Sequence, residues 1–301
     1  MHPDDLEISD LIVDYDASSL ERKRVRWQPV LEYFRGRRDR AATRIVGSLP
    51  RDGEFFDNDE IDQILLMSHM ELQRLEEEFL HGQRILDLVR AMVTAAELHG
   101  VPKPFRAVDI GCGLGYIVRW LTCFGGLGAG VELVGVDYNA CFVRTARVLA
   151  EQEGLRCRFE VGNAESLAAP ATFYLSSGVL HHFRGRDLTD FFARQNTGVI
   201  GFLHTDIRPS SITPLGAWLY HLARMRQPLA RHDGTLSAVR AHAAVTLLQA
   251  ARTGCPELRI HVDDQGTLPI FNVFQSVLGV RPELEEAFLA ALAKRKVECR
   301  L

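Results

Sequence analysis

The chain has 301 residues, 47% of them hydrophobic and 25% charged, which excludes a disordered or fibrous protein and allows one large α/β domain with an accessory part of about 100 residues. Its net charge of −4 gives no overall attraction to nucleic acid or to an anionic membrane, and no run of about 18 apolar residues could span one. Six cysteines without a C-x-x-C pair argue against a zinc or disulfide framework, so no metal site is expected; with a polar, acidic start at Met1–Asp5 they suit a cytoplasmic protein.

Residues 1 to about 100 read as helical. Asp57-Asn58-Asp59-Glu60 has the form of a capping box, followed by Ile61, Ile64, Leu65, Leu72, Leu75 and Phe79 at one-face spacing. Gly82 is expected to break this helix. A second one over Ile85, Leu86, Val89, Met92 and Val93 should end near Gly100, before Pro102 and Pro104. Met67, Met70, Phe79 and Met92 are expected in the core.

The rhythm then changes to short apolar runs alternating with helices: Ala107–Ile110, Leu133–Val136, Arg158–Val161, Thr172–Leu175 and Val199–Leu203. Such alternation predicts βαβ units and a parallel sheet. From Ile212 to Thr253 the pattern is helical, with a break expected at Arg231-His232-Asp233-Gly234. Two more strand candidates, Leu258–Val262 and Ile270–Val277, are joined through Asp263-Asp264-Gln265-Gly266 and should pair antiparallel. Pro282 to Lys296 is a closing helix. The fold class is therefore α/β, a Rossmann-like seven-stranded and mostly parallel sheet with an antiparallel C-terminal hairpin. The organisation expected is a helical segment 1–100 and a domain 101–301 carrying a helical cap insertion at 208–256.

The stretch Ala107-Val108-Asp109-Ile110-Gly111-Cys112-Gly113-Leu114-Gly115-Tyr116 carries the most information. A strand ends at an acid, and three alternate glycines let the backbone turn and a ligand approach before a helix begins. A P-loop would need Lys-Ser/Thr after the last glycine, where Tyr116-Ile117 stands. The dinucleotide fingerprint would need its third glycine one residue later.

Asp-x-Gly-x-Gly-x-Gly in this setting resembles the class I S-adenosylmethionine-dependent methyltransferases, small-molecule type. Further segments are similar to that family. The second strand ends at Asp137, where an acid would take both ribose hydroxyls. The third ends at Val161-Gly162-Asn163-Ala164-Glu165, which resembles the adenine-binding segment, with Asn163 in place of the commoner Asp. After the fourth, Ser177-Gly178-Val179-Leu180-His181-His182-Phe183 matches the segment that follows strand four in small-molecule members. The resemblance covers residues 85 to 207. It implies S-adenosylmethionine as cofactor, S-adenosylhomocysteine as product, and a cofactor set of Asp109, Gly111, Cys112, Gly113, Gly115, Tyr116, Asp137, Tyr138, Asn163, Ala164 and Ser177. The 28 positions from Asp109 to Asp137 exceed the usual spacing, the excess lying in Gly125–Gly130.

Methyl transfer needs alignment and exclusion of water, with a general base only where the nucleophile arrives protonated. His181, His182, His204 and His232 fall at the C-terminal edge of the sheet or in the cap. His182 is taken as the substrate-facing base, with His181 and Asp206 as further catalytic candidates. The helical segments are expected to act as a lid and a homodimer surface. Trp218, Tyr220 and Met225 are candidates for an apolar substrate pocket.

Arg22-Lys23-Arg24, Arg26, Arg35, Arg37-Arg38 and Arg40 interleave with Trp27, Tyr33 and Phe34, a pattern that suggests RNA binding. The acidic segment after it (Glu54, Asp57, Asp59, Glu60, Asp62) could neutralise it internally. Three functions stay open: a small-molecule methyltransferase, the leading one, with neither nucleic acid nor membrane as partner; an RNA or protein methyltransferase; and a non-methylating S-adenosylmethionine-binding protein.

Overall fold

A computed structural model describes residues 1–16, 18–163, 171–263 and 273–298. In chain order the elements are α1 (Ile8–Ile12), a ribbon of β1 (Asp14–Tyr15) and β2 (Arg22–Lys23), α2 (Trp27–Gly36) and α3 (Arg40–Ser48). A second ribbon of β3 (Arg51–Asp52) and β4 (Phe55–Phe56) leads to α4 (Asn58–Glu78) and α5 (His81–Leu98). Then come β5 (Phe105–Ile110), α6 (Tyr116–Phe124), β6 (Val131–Asp137), α7 (Ala140–Gln152), β7 (Arg158–Val161), β8 (Phe173–Ser177), α8 (Gly185–Ala193) and β9 (Gly201–Ile207). Helices α9 (Thr213–Arg224), α10 (Pro228–Arg240) and α11 (Ala244–Gly254) precede β10 (Arg259–Asp263), β11 (Phe274–Val280) and α12 (Glu285–Glu298).

These elements form two units, Met1–Glu76 with Pro209–Ala241, and Glu77–Arg208 with His242–Leu301. The expected division at 100/101 is not where the contacts place it. Helix α5 buries Ile85, Leu86, Val89, Met92 and Ala96 in the core under the sheet, and α11 packs Leu247 and Ala251 with α8, so both belong with the strands.

The larger unit holds a seven-stranded sheet in the order β10-β11-β9-β8-β5-β6-β7. Strands β5 to β9 are parallel, and β11 runs antiparallel to both β9 and β10. Alternation along each strand feeds two layers, since successive side chains point to opposite faces. Ala107, Leu203 and Leu278 pack with α5, α6, α7 and α12, while Val108, Phe202 and Val277 pack with α8 and α11. The hairpin strand expected at Ile270–Val277 runs Phe274–Val280; its first three expected residues and most of the expected turn lie outside the described residues. Strand five continues to Ile207, because Thr205, Asp206 and Ile207 pair with β11. Gly82 does not break a helix; the left-handed Leu80 does. Gly82 sits inside α5, where a Cβ would lie 2.4 Å from the Trp120 ring of α6.

The smaller unit is helical with two β-ribbons that the sequence reading did not anticipate. Asp57 caps α4 by accepting from the N–H groups of Asp59 and Glu60 (both 3.1 Å). The segment Arg231–Gly234 is helical rather than a break; the chain breaks at Met225–Gln227, ahead of Pro228 in the first turn of α10. Gly234 is tolerated there because α10 packs closely on α9: a Cβ would lie 2.1 Å from the His221 ring. Side chains of α10 anchor the chain start. Asp233 accepts from the N–H groups of Ile8 and Ser9 (2.9 Å each), Ser237 donates to Glu7, and Arg240 pairs with Asp10. Met92 is core as expected, but Met67 and Met70 are exposed, and Met225 is buried while Trp218 is 49% exposed.

Candidate active site at the glycine loop

The loop after β5 is pulled over the end of β6. Gly111 and Cys112 both donate to the Val136 carbonyl (2.8 and 3.1 Å), and Gly113 N–H donates to Asp137 Oδ2 at 2.9 Å. Gly115 begins α6 with φ +72°, and a Cβ there would lie 2.2 Å from the Phe159 ring. Gly111 (φ +70°) is as constrained, its Cβ position 2.8 Å from Val179. Only glycine satisfies both the conformation and the closeness at these two positions.

Asp137 closes the end of β6. Its Oδ1 accepts from Asn139 N–H at 2.8 Å, and burial pushes its carboxyl up to about 6 against the two backbone donors. Asn139 in turn caps α7, accepting from Cys141 and Phe142. Asp109 is buried one residue before the end of β5, Cys112, Gly113 and Tyr116 are half-buried, and Tyr138 is 46% exposed. Asn163 is half-buried just past β7; Ala164 lies outside the described residues. Burial, with Asp137 and Asp109 nearby, holds the Cys112 thiol protonated.

This donor set fits S-adenosylmethionine. Both Asp137 oxygens spend one lone pair on backbone N–H groups, which leaves the others to accept a vicinal diol. The loop is a cradle without Cβ atoms at its two tightest points.

The second cluster lies at the ends of β8 and β9. Asp206 clasps His181 twice: Oδ2 accepts its backbone N–H at 2.9 Å, and Oδ1 accepts from Nδ1 at 2.8 Å. Burial opposes the Asp206 charge, but the His181 ring, with the N–H groups of Ile207 and His181, holds it down at about 2. His181 is buried and His182 exposed, their rings 4.4 Å apart. Ser177 ends β8, its hydroxyl 2.7 Å from His81 Nε2.

Two expected site histidines lie elsewhere. His204 is not at a strand end but inside β9, fully buried between Ser176 and Gln195 (2.8 Å each) and ringed by Phe191, Phe192 and Phe202; burial lowers its pKa to about 3, so it is a neutral core residue. His232 is in α10, bonded to Asp39 and Asp233. His81 escaped the sequence reading, since its partner Ser177 is 96 positions away and a lone histidine opening a helix has no local signature.

Residues 107–197 match a family model described as a methyltransferase domain. The glycine loop and the mostly parallel sheet accord with this match, and together they support an enzyme of the S-adenosylmethionine-dependent methyltransferase type, the similarity to the methyltransferase domain being confined to residues 107–197. Among solved structures the chain is similar to the plantazolicin methyltransferase BpumL, in complex with a monoazolic desmethylPZN analog and SAH: TM-score 0.51 and 12% identity, covering 73% of this chain and 95% of that one. It is also similar to magnesium protoporphyrin IX methyltransferase (ChlM) from Synechocystis PCC 6803 with bound SAH, at TM-score 0.47 and 14% identity, covering 84% of this chain and 99% of that one. At such identities the likeness is one of fold. No curated protein matches the chain. Among the described residues no helix is long and apolar enough to cross a membrane.

Proposed function

We propose that the enzyme methylates a small-molecule acceptor of specialised metabolism in the cytoplasm, and that His181, oriented by Asp206, takes the acceptor's proton. The observation that carries this reading is the double clasp of Asp206 on His181 at the end of β8. With Nδ1–H committed to a carboxylate, Nε2 is the ring nitrogen left to take a proton from an acceptor. This favours His181 over its exposed neighbour His182, which stands as the second candidate.

The bound cofactor supplies an electrophilic methyl group on a sulfonium. Asp137 holds the ribose, the Gly111–Gly115 loop holds the methionyl end, and Asp109, Tyr116, Tyr138, Asn163 and Ser177 complete the surround. In-line displacement then needs alignment and a dry site more than covalent help. We read the helical unit as a homodimer surface.

An acceptor of RNA is disfavoured by how the basic segment is used. Arg22, Lys23, Arg24, Arg26 and Arg37 pair with Asp62, Asp16, Asp52, Glu54 and Asp5. Guanidinium groups cover the rings a base would stack on, Arg24 over Phe55, Arg51 over Trp27 and Arg37 over Tyr33.

The test is kinetic. Acceptors are screened by release of S-adenosylhomocysteine, and Asp206→Asn is compared with wild type on any that turn over. Turnover should fall by about 10²–10⁴ with little change in S-adenosylhomocysteine affinity; equal rates would remove the pair from the mechanism.

A further inference from the structure

The proposed cofactor residues centre on β5, β6 and the loop between them, with Asn163 past β7 and Ser177 at the end of β8; beside Ser177 a second set of polar groups gathers over the other half of the sheet. His81 and Arg84 are one turn apart on α5. Their neighbours come from the far strands. Ser177 of β8 bonds His81 Nε2 at 2.7 Å, the Phe274 ring of β11 lies 4.3 Å from the His81 ring, Asp206 of β9 acts on His81 electrostatically, and Asp263 of β10 acts on Arg84.

Both residues have capacity left over. His81 is 1% exposed, yet among the described residues its Nδ1 has no hydrogen-bond partner. Buried polar atoms are rarely left so, because desolvation is not repaid. Burial, and then the nearby Arg84 charge, lower the His81 pKa to about 3, so the ring is neutral. In the tautomer in which the Ser177 hydroxyl donates to Nε2, the ring's proton sits on Nδ1, a donor with no partner among the described residues. Arg84 is half-buried, and among the described residues its guanidinium makes no ion pair or side-chain hydrogen bond; Asp263 is beyond ion-pair distance. A partly desolvated guanidinium with five unspent donors beside a neutral N–H donor is a receptor for a carboxylate.

We infer that His81 and Arg84 bind a carboxylate on the methyl acceptor, so that this enzyme selects an acidic substrate. The inference rests on the methyltransferase reading and adds the acceptor's chemical class. Two carboxylates are available, the acceptor's and that of the cofactor's methionyl group. The pair neighbours groups of β8, β9, β10 and β11, on the side of the sheet away from the glycine loop proposed for the methionyl end, which favours the acceptor's, and the experiment below separates the two. The Phe274 ring against His81, with the Phe79 ring 6.2 Å from it, suits an aromatic or otherwise apolar body behind the acid.

The experiment uses the full chain saturated with S-adenosylhomocysteine and three aromatic acids, benzoate, cinnamate and indole-3-acetate, each against its neutral amide. Binding is followed by calorimetry and by the ¹⁵N resonances of the His81 ring. At least one acid should bind about tenfold more tightly than its amide and shift His81. Arg84→Gln should bring acid and amide level, with S-adenosylhomocysteine and 5′-methylthioadenosine affinities unchanged. The inference is overturned if no acid is preferred over its amide, or if Arg84→Gln leaves the preference intact. It is also overturned if Arg84→Gln weakens S-adenosylhomocysteine but not 5′-methylthioadenosine, since the pair would then serve the cofactor's own carboxylate. Wild type that binds no S-adenosylhomocysteine would sink the methyltransferase reading itself, a result none of the other outcomes produces.

Discussion

Asp137 offers the sharpest test of the cofactor site, because its environment makes a prediction in pH as well as in affinity. Burial raises its pKa from the ordinary 3.8 to about 6. That rise corresponds to about 3 kcal/mol of differential interaction, and its sign follows from linkage. The folded, unliganded protein holds this proton more tightly than the unfolded chain. Its stability contribution is therefore full below pH 3.8 and lost as the pH rises through about 6. Ribose hydroxyls donate to the ionised form and offset part of that loss, so cofactor binding and ionisation of Asp137 are coupled. S-adenosylhomocysteine should bind at full strength above about pH 6 and progressively more weakly below it, by up to about tenfold per pH unit. Asp137→Ala removes the acceptors and the titration together. The loss of charge-assisted hydrogen bonds, about 1.5–3 kcal/mol, predicts roughly 10- to 150-fold weaker binding with a flat pH profile. Calorimetry between about pH 5 and 8, corrected for buffer ionisation, reads both quantities. A folded Asp137→Ala protein with wild-type affinity, or a wild-type affinity that ignores pH across this window, would refute the assignment.

Gly115→Ala should destabilise the protein by about 2–4 kcal/mol, combining the left-handed backbone at φ +72° with the collision on Phe159, and should impair cofactor binding; an unaltered denaturation midpoint would count against the loop geometry. His232 titrates with the opposite charge type. Burial works against its protonation, but Asp233 and Asp39 outweigh it and raise its pKa above 6.5. Its stabilisation is thus complete below 6.5 and lost as the pH rises through the raised value, so melts of wild type should weaken over that range while those of His232→Phe do not.

The part of this site that could be read in advance is the part built from consecutive residues. Gly111, Gly113 and Gly115 stand where the backbone itself must turn left-handed, and Asp137 follows an apolar run that could only be a strand. Both constraints are local, so composition and spacing express them. His181 and Asp206 were identified as residues but not as a pair, since 25 positions and a crossover separate them. His204 was misplaced because strand five was ended at its last clearly apolar residue, whereas polar Thr205 and Asp206 extend it through ladder bonds to β11. Arg231–Gly234 looked like a turn by its residue types. It is helical because Asp233 and His232 are held by the N–H groups of α1 and by Asp39, an instance of tertiary contacts overriding propensity. The affiliation of α5 with the sheet was hidden for the same reason: an amphipathic helix declares that it has a buried face but not what covers it.

The helical unit is assembled from two stretches with the parallel strands between them in the chain, and this sets an order for its biosynthesis. Asp233 meets Ile8 across 225 positions, and Ser237 meets Glu7 across 230. As the chain leaves the ribosome, the N-terminal stretch emerges first and waits through the synthesis of every parallel strand before α10 arrives with Asp233 to hold the N–H groups of Ile8 and Ser9. At about 5–20 residues per second that interval is on the order of ten seconds or more, long enough for exposed apolar helices to require shielding. The strands β5 to β9 face no such delay, since each pairs within one uninterrupted stretch. The cofactor cradle can thus form while the ends of the helical unit are still apart, and its completion closes a loop of more than two hundred residues late in folding.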